Sequence, residues 1–230
     1  MMSFQTDNEK NKISVTRRFL MAEVGKSIDD FVKARDWQNK EMILRIINDV
    51  PTNNDFKELE KFQFSGHIID RRTPVQFVLN LVLGWIMEDA IAEIINKIPG
   101  FKAELGSTNL RSFESHPLSA SDLTLYAEGK VIPIEITEDF SGYTIRNNMT
   151  ALRDNKYMNL KNEKAILVNI ILSSLQFFAI DISKTKATLN ESYGAYGGKP
   201  AYVLKLGKTD FYFISDFQRR IKEIAKEYTS

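Results

Sequence analysis

The chain contains no cysteine. That excludes disulfides, a thiol nucleophile and cysteine-ligated zinc. Histidine is nearly as scarce, with only His67 and His116 among 230 residues. Neither sits in a metal-binding spacing such as H-E-x-x-H, and a histidine-centred triad finds no supporting residues. Each reads as a polar surface or loop residue rather than a ligand; His67, just before a strong helix, is the one with a route toward a site that helix serves. No apolar run is long and uncharged enough to span a membrane. No signal peptide or lipidation motif is read, which sets the expectation of a soluble, cytoplasmic protein. Gly194-Ala-Tyr-Gly-Gly-Lys199 has glycines and a lysine but lacks the phosphate-loop spacing and the Ser or Thr that follows it. Excess charge is missing too: the net value is +1, which by itself argues against a general nucleic-acid binder.

The charge is unevenly spread. Residues 1–72 hold 13 basic and 12 acidic side chains, residues 73–143 hold 4 and 10, and residues 144–230 hold 14 and 8. The middle is therefore negative and the last third positive, as a cation site beside a phosphate-binding surface requires. Lys184, Lys186, Lys199, Lys205 and Lys208, with Tyr193, Tyr196 and Tyr202, surround the glycine loop. They read either as a loop contacting a nucleic-acid backbone or as a solvated hairpin, since Tyr202–Leu206 and Phe211–Ile214 alternate like paired strands. Arg219, Arg220 and Lys222 sit on a terminal helix and read as solvated. The length suits one domain of ordinary size. Residues 1–66 read as a helical segment packed on a core of residues 67–230. Ser27–Trp37 and Asn39–Val50 are amphipathic there, and Pro51 ends the second.

One predicted hairpin carries the most information, running from Asp122 to Thr137. Glu128-Gly129 reads as a two-residue turn, with glycine tolerating positive φ. That register pairs Ala127 with Lys130, Tyr126 with Val131, Thr124 with Pro133 and Asp122 with Glu135. Leu123, Leu125, Ile132, Ile134 and Ile136 then share one face, and Asp122, Thr124, Glu135 and Thr137 the other. The Asp122/Glu135 pair falls at a non-hydrogen-bonded position, where side chains approach most closely. Two like charges there repel, and a divalent cation between them converts the repulsion into binding. The plain alternative is a surface hairpin with scattered acids.

Upstream, Thr73-Pro74-Val75-Gln76 is a helix start, with Thr as N-cap, Pro at the first helical position and Gln closing a capping box. The helix runs to about Lys97 and stops before Pro99-Gly100. Its first half is apolar except for Gln76, Asn80, Gly84 and Glu88, four residues apart, which form one narrow polar stripe. Glu88 ends the stripe. A carboxylate beside so much apolar surface needs a partner or a metal, unless the helix emerges into solvent there, as Asp89 and Glu93 also allow. Downstream, Tyr143 to about Leu160 reads as a helix carrying Lys156. Ala165–Leu172 reads as a buried strand, and Phe177–Ile182 as another. The fold class expected is α/β, a central mixed sheet flanked by helices, with a helical N-terminal segment.

These residues resemble the PD-(D/E)XK nuclease superfamily, the fold of most type II restriction endonucleases. In that family a helix supplies an acid, the first strand of a hairpin ends in Asp, and the second carries Glu or Asp, one residue, then Lys. Glu88, Asp122 and Glu135 occupy the acidic positions, and Ile136 is the intervening residue whose backbone carbonyl faces the metal. The resemblance covers roughly residues 73–182. Ser121 replaces the motif Pro, and Thr137 stands where the motif has Lys. Lys156 on the next helix is the candidate replacement cation. Glu-x-Thr followed by Lys156-Tyr157 also resembles the cap-snatching endonucleases of segmented negative-strand RNA viruses, in the subgroup whose helix lacks a metal-binding His.

The resemblance implies Mg²⁺-dependent endonuclease activity, with Mn²⁺ substituting, on double-stranded DNA and as a homodimer that cuts both strands. Glu88, Asp122, Glu135 and Ile136 would hold metal, with Thr137 and Lys156 completing the catalytic set. Hard oxygen ligands suit these cations. Two other functions stay open on the sequence: an RNA endonuclease domain of a viral polymerase, and a non-catalytic nucleic-acid-binding module on the same fold.

Overall fold

A computed structural model describes residues 5–63, 73–106 and 121–228. His67 and His116 lie outside the described residues. The chain divides into two compact units, whose described parts are residues 5–63 with 73–90, and residues 91–106 with 121–228.

The first unit is helical: α1 (Asp7–Phe19), α2 (Ile28–Lys33), α3 (Lys40–Ile47), α4 (Asn53–Gln63) and most of α5 (Pro74–Asn96). Local chemistry starts several of these helices. Glu9 Oε2 accepts the Thr6 N–H at 2.7 Å before α1, and Ser27 Oγ accepts the Asp30 N–H at 3.1 Å in α2. At the start of α5 the expected capping box forms, with Gln76 Oε1 accepting the Thr73 N–H at 3.0 Å and Thr73 Oγ1 accepting the Gln76 N–H at 3.2 Å. Along α5, Val78, Leu79, Val82, Leu83, Ile86 and Met87 are buried, and the stripe Gln76, Asn80, Gly84 and Glu88 is half-buried. A helix this apolar needs cover on nearly every side. Part of that cover is N-terminal: Lys12 Nζ donates to Asn80 Oδ1 at 2.7 Å, and Arg35 Nε donates to Asp89 Oδ2 at 3.0 Å. Trp37 packs edge-on against Trp85, with ring centroids 5.8 Å apart. The first unit accordingly takes in α5 as far as Ala90, and the division falls inside that helix, well beyond residue 66.

The second unit is α/β. Its larger sheet is mixed and six-stranded, in the order β1 (Lys102–Leu105), β2 (Leu123–Ala127), β3 (Lys130–Asp139), β5 (Ile166–Ile171), β6 (Gln176–Asp181) and β9 (Tyr212–Phe213). Within it β3 and β5 pair in parallel, joined through α6 (Tyr143–Asn147), β4 (Met149–Arg153) and α7 (Asp154–Asn162). A smaller sheet orders β4, β8 (Lys199–Lys205) and β7 (Ala187–Tyr193), and α8 (Phe217–Glu227) ends the described chain.

The hairpin register is the expected one. Ala127 faces Lys130, Tyr126 faces Val131, Thr124 faces Pro133 and Leu123 faces Ile134, about a turn with Glu128 at φ 54° and Gly129 at φ 72°. Positive φ at both central residues matches the twist of the flanking strands.

Two expectations need correction. Tyr143–Leu160 is not one helix: α6 ends at Asn148, in the left-handed region at φ 49°, and β4 pairs antiparallel with β8 before α7 begins. Asn tolerates that conformation, and the alternation that buries Thr150 and Leu152 was hidden among polar neighbours. Tyr202–Leu206 and Phe211–Ile214 do not pair with each other either. The first lies in β8 between β4 and β7, and the second supplies β9 at the edge of the larger sheet.

The two faces of the larger sheet have different covers. On one, Phe177 packs against Phe217 of α8 at 5.0 Å between centroids, and Lys130 Nζ donates to the Ala225 and Lys226 carbonyls at that helix's C-terminal end. On the other, Leu167 and Phe178 pack with Tyr157 and Leu160 of α7 and with Leu152, Leu204 and Leu206 at the smaller sheet. This second face carries the polar residues of the hairpin.

Candidate metal centre

Asp122 and Glu135 come together as the hairpin register requires. The ladder reaches Leu123↔Ile134, and one step beyond it Asp122 and Glu135 face each other. Asp122 closes the end of the ladder with its side chain, since its Oδ2 accepts the Ile136 N–H at 2.8 Å. Its carbonyl accepts the Gly106 N–H at 2.7 Å, tying the approach to β2 to the end of β1. A Cβ on Gly106 would collide with the Ser121 carbonyl oxygen. Glycine is therefore what lets the two backbones close on either side of Asp122.

Glu135 is buried, at 6% exposure. Burial and then the neighbouring Asp122 charge push its carboxyl up to about 9, with the Lys156 ammonium pulling the other way. Lys156 Nζ lies 2.8 Å from Glu135 Oε2. The two form a short ion pair that buries Oε2 against the ammonium. Burial acts to lower the Lys156 value, but Glu135 and Asp122 outweigh it and hold the group above the ordinary lysine range. Lys156 therefore stays an ammonium at the site.

Packing explains how a residue 21 positions along reaches Glu135. Leu167 is the register partner of Glu135, and α7 packs on Leu167 through Tyr157 and Leu160. Tyr157 also stacks on Tyr202 of β8, with centroids 4.1 Å apart. The helix is clamped from both sides beside the glutamate, and Lys156 projects from the residue before the stacked ring.

Thr137 shares the face of Glu135, two residues along β3. Its Oγ1 accepts from Asn169 Nδ2 of β5 at 2.8 Å. Sequence reasoning missed Asn169, although it is the one polar side chain in the run Ala165–Leu172 and that was the available signal. Ile136 contributes backbone rather than side chain. Its N–H serves Asp122, while its side chain is buried on the opposite face. The nearby Asp139 has a different task. Burial raises its value, but the donors of Thr144 and Ser141 outweigh that and hold it below the usual carboxylate range. Its two oxygens accept the N–H groups of Ser141, Gly142 and Thr144, shaping the entry to α6.

Glu88 belongs to the first unit, half-buried on α5. Taken alone, the second unit brings together Asp122, Glu135 and Lys156, with Thr137 and Asn169 alongside. Among the described residues, no group of three or more His, Asp or Glu side chains is placed to hold a metal ion. A pair of carboxylates is still sufficient for one class of site, because Mg²⁺ is commonly held by one or two carboxylates plus waters and substrate phosphates.

Neither protein-family models nor curated proteins match this chain. No helix among the described residues is long and apolar enough to cross a membrane.

Proposed function

We propose that this chain is a metal-dependent endonuclease that hydrolyses phosphodiester bonds, with double-stranded DNA as substrate and a homodimer as the cutting form. The observation that carries this reading is the forced neighbourhood of Asp122 and Glu135 beside a retained Lys156 charge. For stability alone the pair is costly, since burial and the Asp122 charge oppose ionisation of Glu135 more than the Lys156 ammonium favours it.

The donor set suits Mg²⁺ or Mn²⁺: two hard carboxylates facing each other, one of them buried beside an ammonium. Asp122 and Glu135 would hold the ion with the Ile136 carbonyl. When bound, such an ion lowers the pKa of coordinated water and offsets charge on a phosphate. Lys156 supplies a fixed positive charge where the pentacovalent phosphate gathers negative charge, the part taken by the missing motif lysine. Thr137 adds a neutral hydroxyl on the same face.

The proposed nucleic-acid contact is in the same unit. Tyr193 and Tyr196 pack at 5.4 Å between centroids, Arg153 sits 5.5 Å over the Tyr196 ring, and Tyr143 is 42% exposed. Lys199, the register partner of Tyr193, is exposed, as are Lys186 and Lys205 at the other end of the smaller sheet. Aromatic faces with cations suit contact with bases and phosphates.

A second reading is an RNA endonuclease of the cap-snatching type. It is favoured by Thr137 in the motif position together with Lys156-Tyr157 on α7 reaching Glu135. A non-catalytic nucleic-acid-binding module is the third. One experiment separates them: purified protein incubated with plasmid DNA and with single-stranded RNA, under Mg²⁺, Mn²⁺ or chelator. Metal-dependent nicking or linearisation of plasmid supports the leading reading. Cleavage of RNA alone supports the second, and binding without cleavage supports the third.

A further inference from the structure

Asn169 sits at the middle of the larger sheet, 3% exposed, on a strand whose six residues are all buried. It faces Thr137 across β3 and β5, and its Nδ2 donates to Thr137 Oγ1 at 2.8 Å. Its other amide atom, Oδ1, is buried without a hydrogen-bond partner. An amide kept for packing would be satisfied at both ends, and an unmet buried acceptor costs stability. Leucine would serve the strand better, as its neighbours Val168 and Ile170 show. The half-satisfied amide therefore has a purpose other than holding the sheet together.

We infer that Asn169 is a positioning residue that fixes Thr137 as a hydrogen-bond donor toward the scissile phosphate. This inference rests on the nuclease reading. A hydroxyl has one hydrogen and two acceptor lone pairs. The Asn169 N–H occupies one lone pair of Thr137 and cannot accept the hydroxyl hydrogen. The O–H is thereby left to donate elsewhere, on the face that carries Glu135. A hydroxyl freed in this way supplies one neutral donor to a non-bridging oxygen. The charge comes separately, from Lys156. The neutral donor and the positive charge thus come from two residues, Thr137 and Lys156, with Asn169 setting the direction of the first.

The test is a double-mutant cycle on cleavage with Mn²⁺, using Thr137→Val, Asn169→Leu and the pair. Each single change is expected to lower kcat by about tenfold to a hundredfold with KM within about twofold, the range of losing one oriented donor. The double variant is expected to be no worse than the poorer single, because both remove the same donor. Thr137→Ser is expected to recover much of what Thr137→Val loses. The metal-free melting temperature of Asn169→Leu is expected to be no lower than that of the unaltered chain. If Asn169→Leu does not fold, Asn169→Ser provides the same comparison. Additive losses, or a kcat loss that merely tracks the unfolded fraction, would overturn the inference while leaving the nuclease reading standing. Failure of the unaltered chain to cut DNA or RNA would overturn that reading, and the inference with it.

Discussion

Lys156 Nζ stands 2.8 Å from Glu135 Oε2, although the two residues belong to different elements and their contact depends on how α7 is clamped. Glu135 sits in the strand, Lys156 on the helix, and Tyr157 stacked on Tyr202 fixes the angle between them. This arrangement places the cation by tertiary packing. Lys156→Met is therefore expected to lower cleavage by about a hundredfold with the fold intact, and Lys156→Arg to retain part of the rate. Tyr157→Ala should cost activity as well, by loosening the helix without touching the charge. Plasmid nicking beside circular dichroism checks both.

Glu135 gives the metal-free protein a distinctive pH dependence. Its folded value, about 9, lies above the ordinary 4.5, so between those values the folded state keeps a proton that the unfolded state has lost. Raising pH through that window removes stability, and the loss is complete above the folded value. Glu135→Gln removes the titrating group, and is expected to raise the metal-free melting temperature at pH 8 while abolishing cleavage. Melting curves in chelator from pH 5 to 9 test it. An unaltered chain whose melting temperature rises across that range opposes the prediction.

Asp122 has two duties that substitution can separate. Its Oδ2 accepts the Ile136 N–H, and its charge faces Glu135. Asp122→Asn keeps an acceptor for the backbone, so it is expected to fold with little loss and to lose cleavage. Asp122→Ala loses cleavage too, and about 1 kcal/mol besides from the unmet N–H. Urea denaturation of both variants, beside cleavage assays, distinguishes the two contributions.

Gly106 tests whether the site depends on the close approach of β1. A methyl there meets the Ser121 carbonyl, so the backbone beside Asp122 must shift. Gly106→Ala is expected to reduce metal affinity and cleavage together, although residue 106 contributes no ligand. Unchanged metal affinity in that variant would show that Asp122 is placed by the hairpin alone.

Much of this was legible in the sequence because it is local. The Glu128-Gly129 turn fixes the hairpin, the alternation fixes its faces, and Thr73 with Gln76 fixes the start of α5. These depend on residues a few positions apart, and the structure reproduces them. The path from β3 to β5 was less legible. Met149–Arg153 forms a strand only because β8, some fifty residues later, is available to pair with it. Its own composition looks helical. Gly106 was invisible for the same reason, since the group it would strike is Ser121, far along the chain. Asn169 did leave a trace, one amide in an apolar run, but its meaning came only with the register that sets it opposite Thr137.

The most direct measurement is calorimetric titration of Mn²⁺ into the unaltered chain, Asp122→Asn and Glu135→Gln. Saturable binding by the unaltered chain, lost in both variants while each stays folded, is the expected result. Equal binding by all three proteins, or none by the unaltered chain, would contradict a cation held between Asp122 and Glu135.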